Sequence, residues 1–191
     1  MSTNPKLSQV AVIGLGNVFL GDDGFGPLAI EMFRCEYECE ASVEVSDLGT
    51  PGLDLAPYLY DRELVVIVDA VQAGLEPGTL SVFREDDFVS SRAKLRITGH
   101  DPGLWEALAH LRMAGHAPSE LVVIGMTPAS CRFGEGINAS VMASALEAAT
   151  AIARLLTQRG VACQQRTSAV QPDLWWQPLL RADPCGENNA E

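Results

Sequence analysis

The stretch that most constrains this chain is Val10-Ala11-Val12-Ile13-Gly14-Leu15-Gly16-Asn17-Val18-Phe19-Leu20-Gly21-Asp22-Asp23-Gly24-Phe25-Gly26. Its opening run has no polar face, so it fits only a strand covered on both sides. Glycines end that strand in a turn. Two adjacent carboxylates follow, just ahead of Pro27, which suits the first turn of a helix. The chain thus carries acidic groups from a buried strand to the rim of a sheet.

Further apolar runs alternate with helical patterns. Residues 43–47 read as a second strand, ending in the turn-forming loop Leu48-Gly49-Thr50-Pro51-Gly52. Residues 64–68 are the most hydrophobic run and close on Asp69. Residues 79–83 follow through a short turn at Glu76-Pro77-Gly78 and are expected to run antiparallel, while 84–94 read as an exposed connection. His100 precedes a helix with Leu104, Ala107, Leu108 and Leu111 on its apolar face. A last strand covers 121–124, and the longest helix covers 138–158 with Gly160 as its stop. This alternation calls for an α/β fold, a three-layer α/β/α sandwich around a mainly parallel twisted sheet of about five strands. Residues 1–163 form one domain on this reading. The tail, 164–191, is an appendage, partly docked through Trp175, Trp176, Leu179 and Leu180 or disordered.

Composition narrows the function. With 191 residues and 47% hydrophobic content, the chain can bury one substantial core. A net charge of -12 repels phosphate backbones, which argues against nucleic acid as a partner and against a peptidyl-tRNA hydrolase. No apolar run suggests membrane insertion, and the polar start suggests no targeting segment, so a cytoplasmic location is expected. Five cysteines without a C-x-x-C pair suggest neither a disulfide framework nor a zinc ribbon. Cys35 and Cys39, four apart, would share a helical face as two unpartnered thiols.

Ligands of open parallel sheets bind beyond the carboxyl ends of the strands. Asp22 and Asp23 in the first loop, Asp69 at the end of the third strand and His100 before a helix all fall there. Asp22 equally fits a role at the positive end of the first helix, and His100 that of a helix-entry residue. Carboxylates with one imidazole make a ligand set suited to zinc, nickel, iron or manganese, with positions left for substrate or water. Gly14-Leu15-Gly16 begins a dinucleotide fingerprint, but Phe19 stands where its third glycine belongs. Ser130 and Cys131 follow the last strand without an evident partner base, so no activated nucleophile stands out.

Gly14-Leu-Gly-Asn-Val-Phe-Leu-Gly-Asp-Asp-Gly-Phe-Gly26, Leu48-Gly-Thr-Pro-Gly52, Val68-Asp-Ala70 and Gly99-His-Asp-Pro-Gly-Leu104, in this order, resemble the signature of the hydrogenase maturation endopeptidases. The resemblance spans roughly residues 8–163 and leaves out the tail. It implies an α/β/α sandwich that removes the C-terminal peptide from the nickel-loaded precursor of a nickel-iron hydrogenase large subunit. The nickel would arrive with the precursor and be recognised by Asp23, Asp69 and His100, which would be both metal ligands and catalytic residues. Zinc or cadmium could occupy the same ligands in isolation. Gly49 and Thr50 would contact substrate. The first ligand is often glutamate in the family, and aspartate is one methylene shorter. The resemblance also accounts for the missing nucleophile, because a bound metal can polarise a carbonyl or activate water. The competing reading is a doubly wound nucleotide- or small-anion-binding module without protease activity, which should use loop amides rather than carboxylates. In the tail, Asp183-Pro184-Cys185-Gly186 resembles part of the Asp-Pro-Cys-x-x-Cys motif near the cleavage point of hydrogenase large subunits, but it has no second cysteine.

Overall fold

The computed structural model describes residues 9–90, 96–97, 101–168 and 170–181. The first strand β1 (Val10–Leu15) leads through a 3-10 turn (Gly21–Gly24) into helix α1 (Phe25–Glu36). There follow β2 (Tyr37–Cys39), β3 (Val43–Gly49), α2 (Ala56–Leu59), β4 (Leu64–Gln72), β5 (Leu80–Arg84) and α3 (Glu85–Ser90). The chain continues with β6 (Arg96–Ile97), α4 (Asp101–Ala114), β7 (Glu120–Met126), α5 (Ala139–Gln158), β8 (Cys163–Gln165) and α6 (Gln177–Arg181).

The main sheet runs in the order β3-β1-β4-β7-β5, with β6 pairing the end of β4. The first four strands are parallel and β5 is antiparallel to β7, as its short connection requires. Alternate residues of each strand face opposite layers. Val12, Val66 and Ile124 pack on α1 and α5, whereas Ile13, Ile67 and Val123 pack with Leu55, Phe88, Leu104 and Leu108 on the other face. The architecture is therefore the expected three-layer α/β/α sandwich.

Chain order reverses between β1 and β4: from β1 the chain first goes outward to β3, then crosses to the opposite side of β1 for β4. A crevice opens at the carboxyl ends of strands at such a switch point. Helix α1 starts directly over it. A Cβ on Gly26 would lie 2.0 Å from the Leu15 carbonyl oxygen and 2.4 Å from that of Val68, so only glycine lets the helix sit this close to both strands.

Three local expectations change, and a fourth is put to the test. Helix α1 stops at Glu36, so Cys35 and Cys39 do not share a helical face; Cys39 lies in β2, opposite Cys163 in a small antiparallel sheet. Residues 85–90 form α3, whose Phe88 is buried against Trp105 and Phe83, so this stretch is more than an exposed connection. Strand β4 continues to Gln72, which puts Asp69 inside the strand and fully buried rather than at a wet rim. Helix α5 is long and apolar enough, by length and composition, to cross a membrane, with 20 residues at a hydropathy of 1.4. Its apolar stripe, Val141, Ala145, Ala148, Ile152 and Leu156, is instead buried in the core.

The chain beyond residue 163 packs on this body. β8 pairs with β2, Arg166 N–H donates to the Glu36 carbonyl at 2.8 Å, and Asp173 N–H donates to Glu31 Oε1 at 2.7 Å. Trp176 then enters the core beside α1 and α5. Asp183, Pro184, Cys185 and Gly186 lie outside the described residues.

Candidate active site

The loop after β1 is held by its own backbone. Gly16 N–H donates to the Gly49 carbonyl at 2.9 Å, Asn17 N–H to Asp23 Oδ2 at 2.8 Å, and Phe19 N–H to Asn17 Oδ1 at 3.0 Å. Leu20 N–H bonds the Asn17 carbonyl, Gly21 N–H that of Glu135, Asp22 N–H that of Ser130, and Asp23 N–H that of Leu20. Amides already spent in this way cannot cradle a phosphate, and the adjacent carboxylates would repel one. The small-anion reading therefore fails on the loop it depended on. Gly16, at φ +140°, passes so close to Asp23 that a Cβ would collide with its carbonyl oxygen. That contact brings Asp23 back over the end of β1.

Both carboxylates of the pair are buried, yet their surroundings differ. Asp22 Oδ2 accepts from Ala129 N–H at 2.7 Å and Ser130 N–H at 3.1 Å, and Oδ1 accepts from Asn138 Nδ2 at 2.9 Å. It braces the β7–α5 loop and makes no cap bond to α1. Asp23 Oδ2 is held by Asn17, while Oδ1 accepts no hydrogen bond among the described residues.

Asp69 stands in register with Gly125 of β7 and accepts from Ala70 N–H at 2.7 Å. By strand alternation it points to the α4 side of the sheet, with Ile67 and Val71. Helix α4 starts at Asp101 and its first turn abuts the Leu48–Gly52 stretch, where a Cβ on Gly103 would come 2.7 Å from the Gly52 carbonyl oxygen. Gly49 is bonded to Gly16, and exposed Thr50 follows it. The loop carrying both substrate-contact candidates thus borders the crevice. His100 lies outside the described residues. Among the described residues no three His, Cys, Asp or Glu side chains assemble as a metal site.

Cys131 is the group that sequence reasoning left aside. Burial pushes its thiol up to about 11, and the negative charges of Asp23, Asp22 and Asp69 push in the same direction. All three carboxylates therefore lie on the Cys131 side of the molecule, near enough for their charges to act on it. A thiol held protonated near neutrality is a poor nucleophile, which speaks against Cys131 as the attacking group. Position after the last strand was the only signal for Cys131 in the sequence.

Together these features define a doubly wound α/β protein whose switch-point crevice is lined by carboxylates and lacks an activated nucleophile among the described residues. A family model for hydrogenase maturation proteases matches residues 27–155. The chain is 32% identical over 171 residues to hydrogenase expression/formation protein HupD of Rhizobium leguminosarum bv. viciae, covering 88% of this chain and 85% of that protein. It is 29% identical over 154 residues to the hydrogenase 2 maturation protease of Escherichia coli (strain K12), covering 80% and 93% respectively. Its fold matches the hydrogenase maturating endopeptidase HybD from E. coli with a TM-score of 0.75 at 28% identity, over 83% of this chain and 98% of that one. This chain belongs to the hydrogenase maturation protease family. It is an endopeptidase, of a family that cleaves the C-terminal peptide of the hydrogenase large subunit.

Proposed function

We propose that this endopeptidase acts on the nickel-loaded precursor of a nickel-iron hydrogenase large subunit and grips the nickel that the precursor brings. Asp23, Asp69 and His100 are the ligands in this reading, with Gly49 and Thr50 against the substrate chain. One observation supports it: Asp23, on the loop after β1, and Asp69, buried within the adjacent parallel strand β4, both lie close enough to Cys131 for their charges to raise its thiol. Asp23 Oδ1 supplies the ligand atom on the first loop. Two carboxylates are costly to bury together without a cation, and an arriving divalent ion offsets that cost.

The precursor's nickel acts as a Lewis acid, either on the scissile carbonyl or on a water molecule. This chain's part is to orient the ion and exclude solvent, which is why it needs no triad. The reaction is placed in the cytoplasm. Free thiols at Cys35, Cys39, Cys131 and Cys163 suit a reducing compartment.

The test mixes purified protein with nickel-loaded and nickel-free precursor and weighs the products by mass spectrometry. Cleavage of the loaded form alone, abolished by His100→Ala, is expected. Equal cleavage of both forms, or full processing by His100→Ala, overturns the nickel-dependent reading.

A further inference from the structure

We infer that the C-terminal segment builds part of the substrate-docking surface, an aromatic rim of Trp175, Phe19 and Phe133 that receives apolar side chains of the precursor beside the scissile bond. The inference rests on the endopeptidase reading above.

The segment straps α1 from one end to the other. It is tied to Glu36 at the last turn by Arg166, to Glu31 in the middle by Asp173, and it reaches the first loop at Trp175. The Trp175 ring meets Phe19 edge-on, with centroids 6.3 Å apart and planes at 73°. Phe19 belongs to the loop that carries Asp23, and its carbonyl accepts the Gly134 N–H at 2.9 Å. That bond brings the Phe133 segment of the β7–α5 loop to the same rim.

Trp176, next in the chain, is 2% exposed and anchors the strap, but Trp175 is 56% exposed and Phe133 is 81% exposed. Large aromatic surface left in water is unusual and marks recognition sites, where such residues dominate the binding energy. The occupant follows from continuity with the cleft. An endopeptidase holds chain on both sides of the bond it cuts, so the surface flanking Asp23 is covered by its protein substrate during turnover. The family model ends at residue 155, ahead of the strap.

Trp175→Ala and Phe133→Ala are compared with wild type by initial rates on purified nickel-loaded precursor, with Met113→Ala as control on the C-terminal turn of α4, where Met113 is 89% exposed. Each rim variant is expected to raise KM about tenfold, as loss of an interface anchor does, with kcat and Tm kept and the control unchanged. Phe133→Ala carries the test if Trp175→Ala melts early. Wild-type KM in both rim variants, or a fall in kcat alone, overturns the rim while leaving the endopeptidase reading intact. An inert wild type overturns that reading and the rim with it.

Discussion

Asp22 Oδ1 accepts the side-chain amide of Asn138 at 2.9 Å, while Asn138 Oδ1 caps α5 by accepting from Ser140 N–H at 2.9 Å and Val141 N–H at 3.1 Å. A single asparagine thus joins the first loop to the N-terminus of the longest core helix. Two neighbouring aspartates have separate tasks in consequence. Asp22 spends both oxygens on the fold, whereas Asp23 keeps one oxygen for the cleft.

This division separates two variants. Asp22→Ala removes a buried carboxylate that accepts from Ala129 N–H, Ser130 N–H and the Asn138 side chain, and frees Asn138 from its anchor. It should cost about 3 kcal/mol, since a hydrogen bond to a charged group is worth about 1.5–3 kcal/mol, read as a lower urea midpoint. Asp23→Asn keeps an oxygen for Asn17 N–H and should change stability by less than about 1 kcal/mol, while processing falls at least about a hundredfold, as for loss of a charged ligand. Equal losses of stability in the two would refute the division of roles.

Cys131 gives a pH prediction. Burial, reinforced by Asp23, Asp22 and Asp69, raises its thiol from an ordinary value of 9.0 to about 11. A raised value means the folded state favours the neutral thiol. The contribution to stability is complete below the unfolded value and is lost as pH rises through about 11. In metal-free protein, the urea midpoint should therefore fall less between about pH 9 and 11 for Cys131→Ser than for wild type. Alkylation of Cys131 at neutral pH should be slow. The serine variant should still process precursor, because this thiol attacks nothing.

Much of the fold was legible because β1, β4 and β7 are continuous apolar runs, a pattern only a doubly covered parallel sheet accommodates. The acidic loop was legible for the same reason: Asp23 interrupts an apolar context. Asp22 and Asp23 could not be told apart, because their partners at Asn17, Ala129, Ser130 and Asn138 are distant in sequence or supplied by main chain. The β2–β8 pair was hidden by its brevity, three residues on each side and only partly buried. Burial of Asp69 could not be read either. Whether a strand stops at an aspartate or runs on past it depends on the neighbours, here Gly125 and Met126 of β7.

The crossing of α1 over β1 and β4 gives a third expectation. A methyl group on Gly26 would overlap two carbonyl oxygens that belong to the sheet and cannot move singly. Gly26→Ala should abolish accumulation of folded protein, a loss of more than about 3 kcal/mol. Gly52→Ala is the comparison: at φ +58° it is strained but meets nothing within 4 Å, so about 1 kcal/mol is expected. Folded yield and Tm of the two variants measure the difference. A stable Gly26→Ala protein would mean the helix does not sit where the crevice requires it.

Trp176 tests the strap's anchorage. Its ring is buried in the core between α1 and α5, but Nε1 has no hydrogen-bond partner among the described residues. The indole therefore contributes apolar contact and pays a desolvation cost that phenylalanine would not. Trp176→Phe loses some packing volume and removes the orphaned donor, and the two effects should cancel to within about 1 kcal/mol. Trp176→Ala leaves a cavity of indole size and should cost about 3 kcal/mol or more. Because the strap delivers Trp175 to the rim, the alanine variant should also raise KM for precursor, whereas the phenylalanine variant should not. Denaturation midpoints and initial rates on the same preparations check both. A Trp176→Phe variant as unstable as Trp176→Ala would show that the indole nitrogen is satisfied in solution.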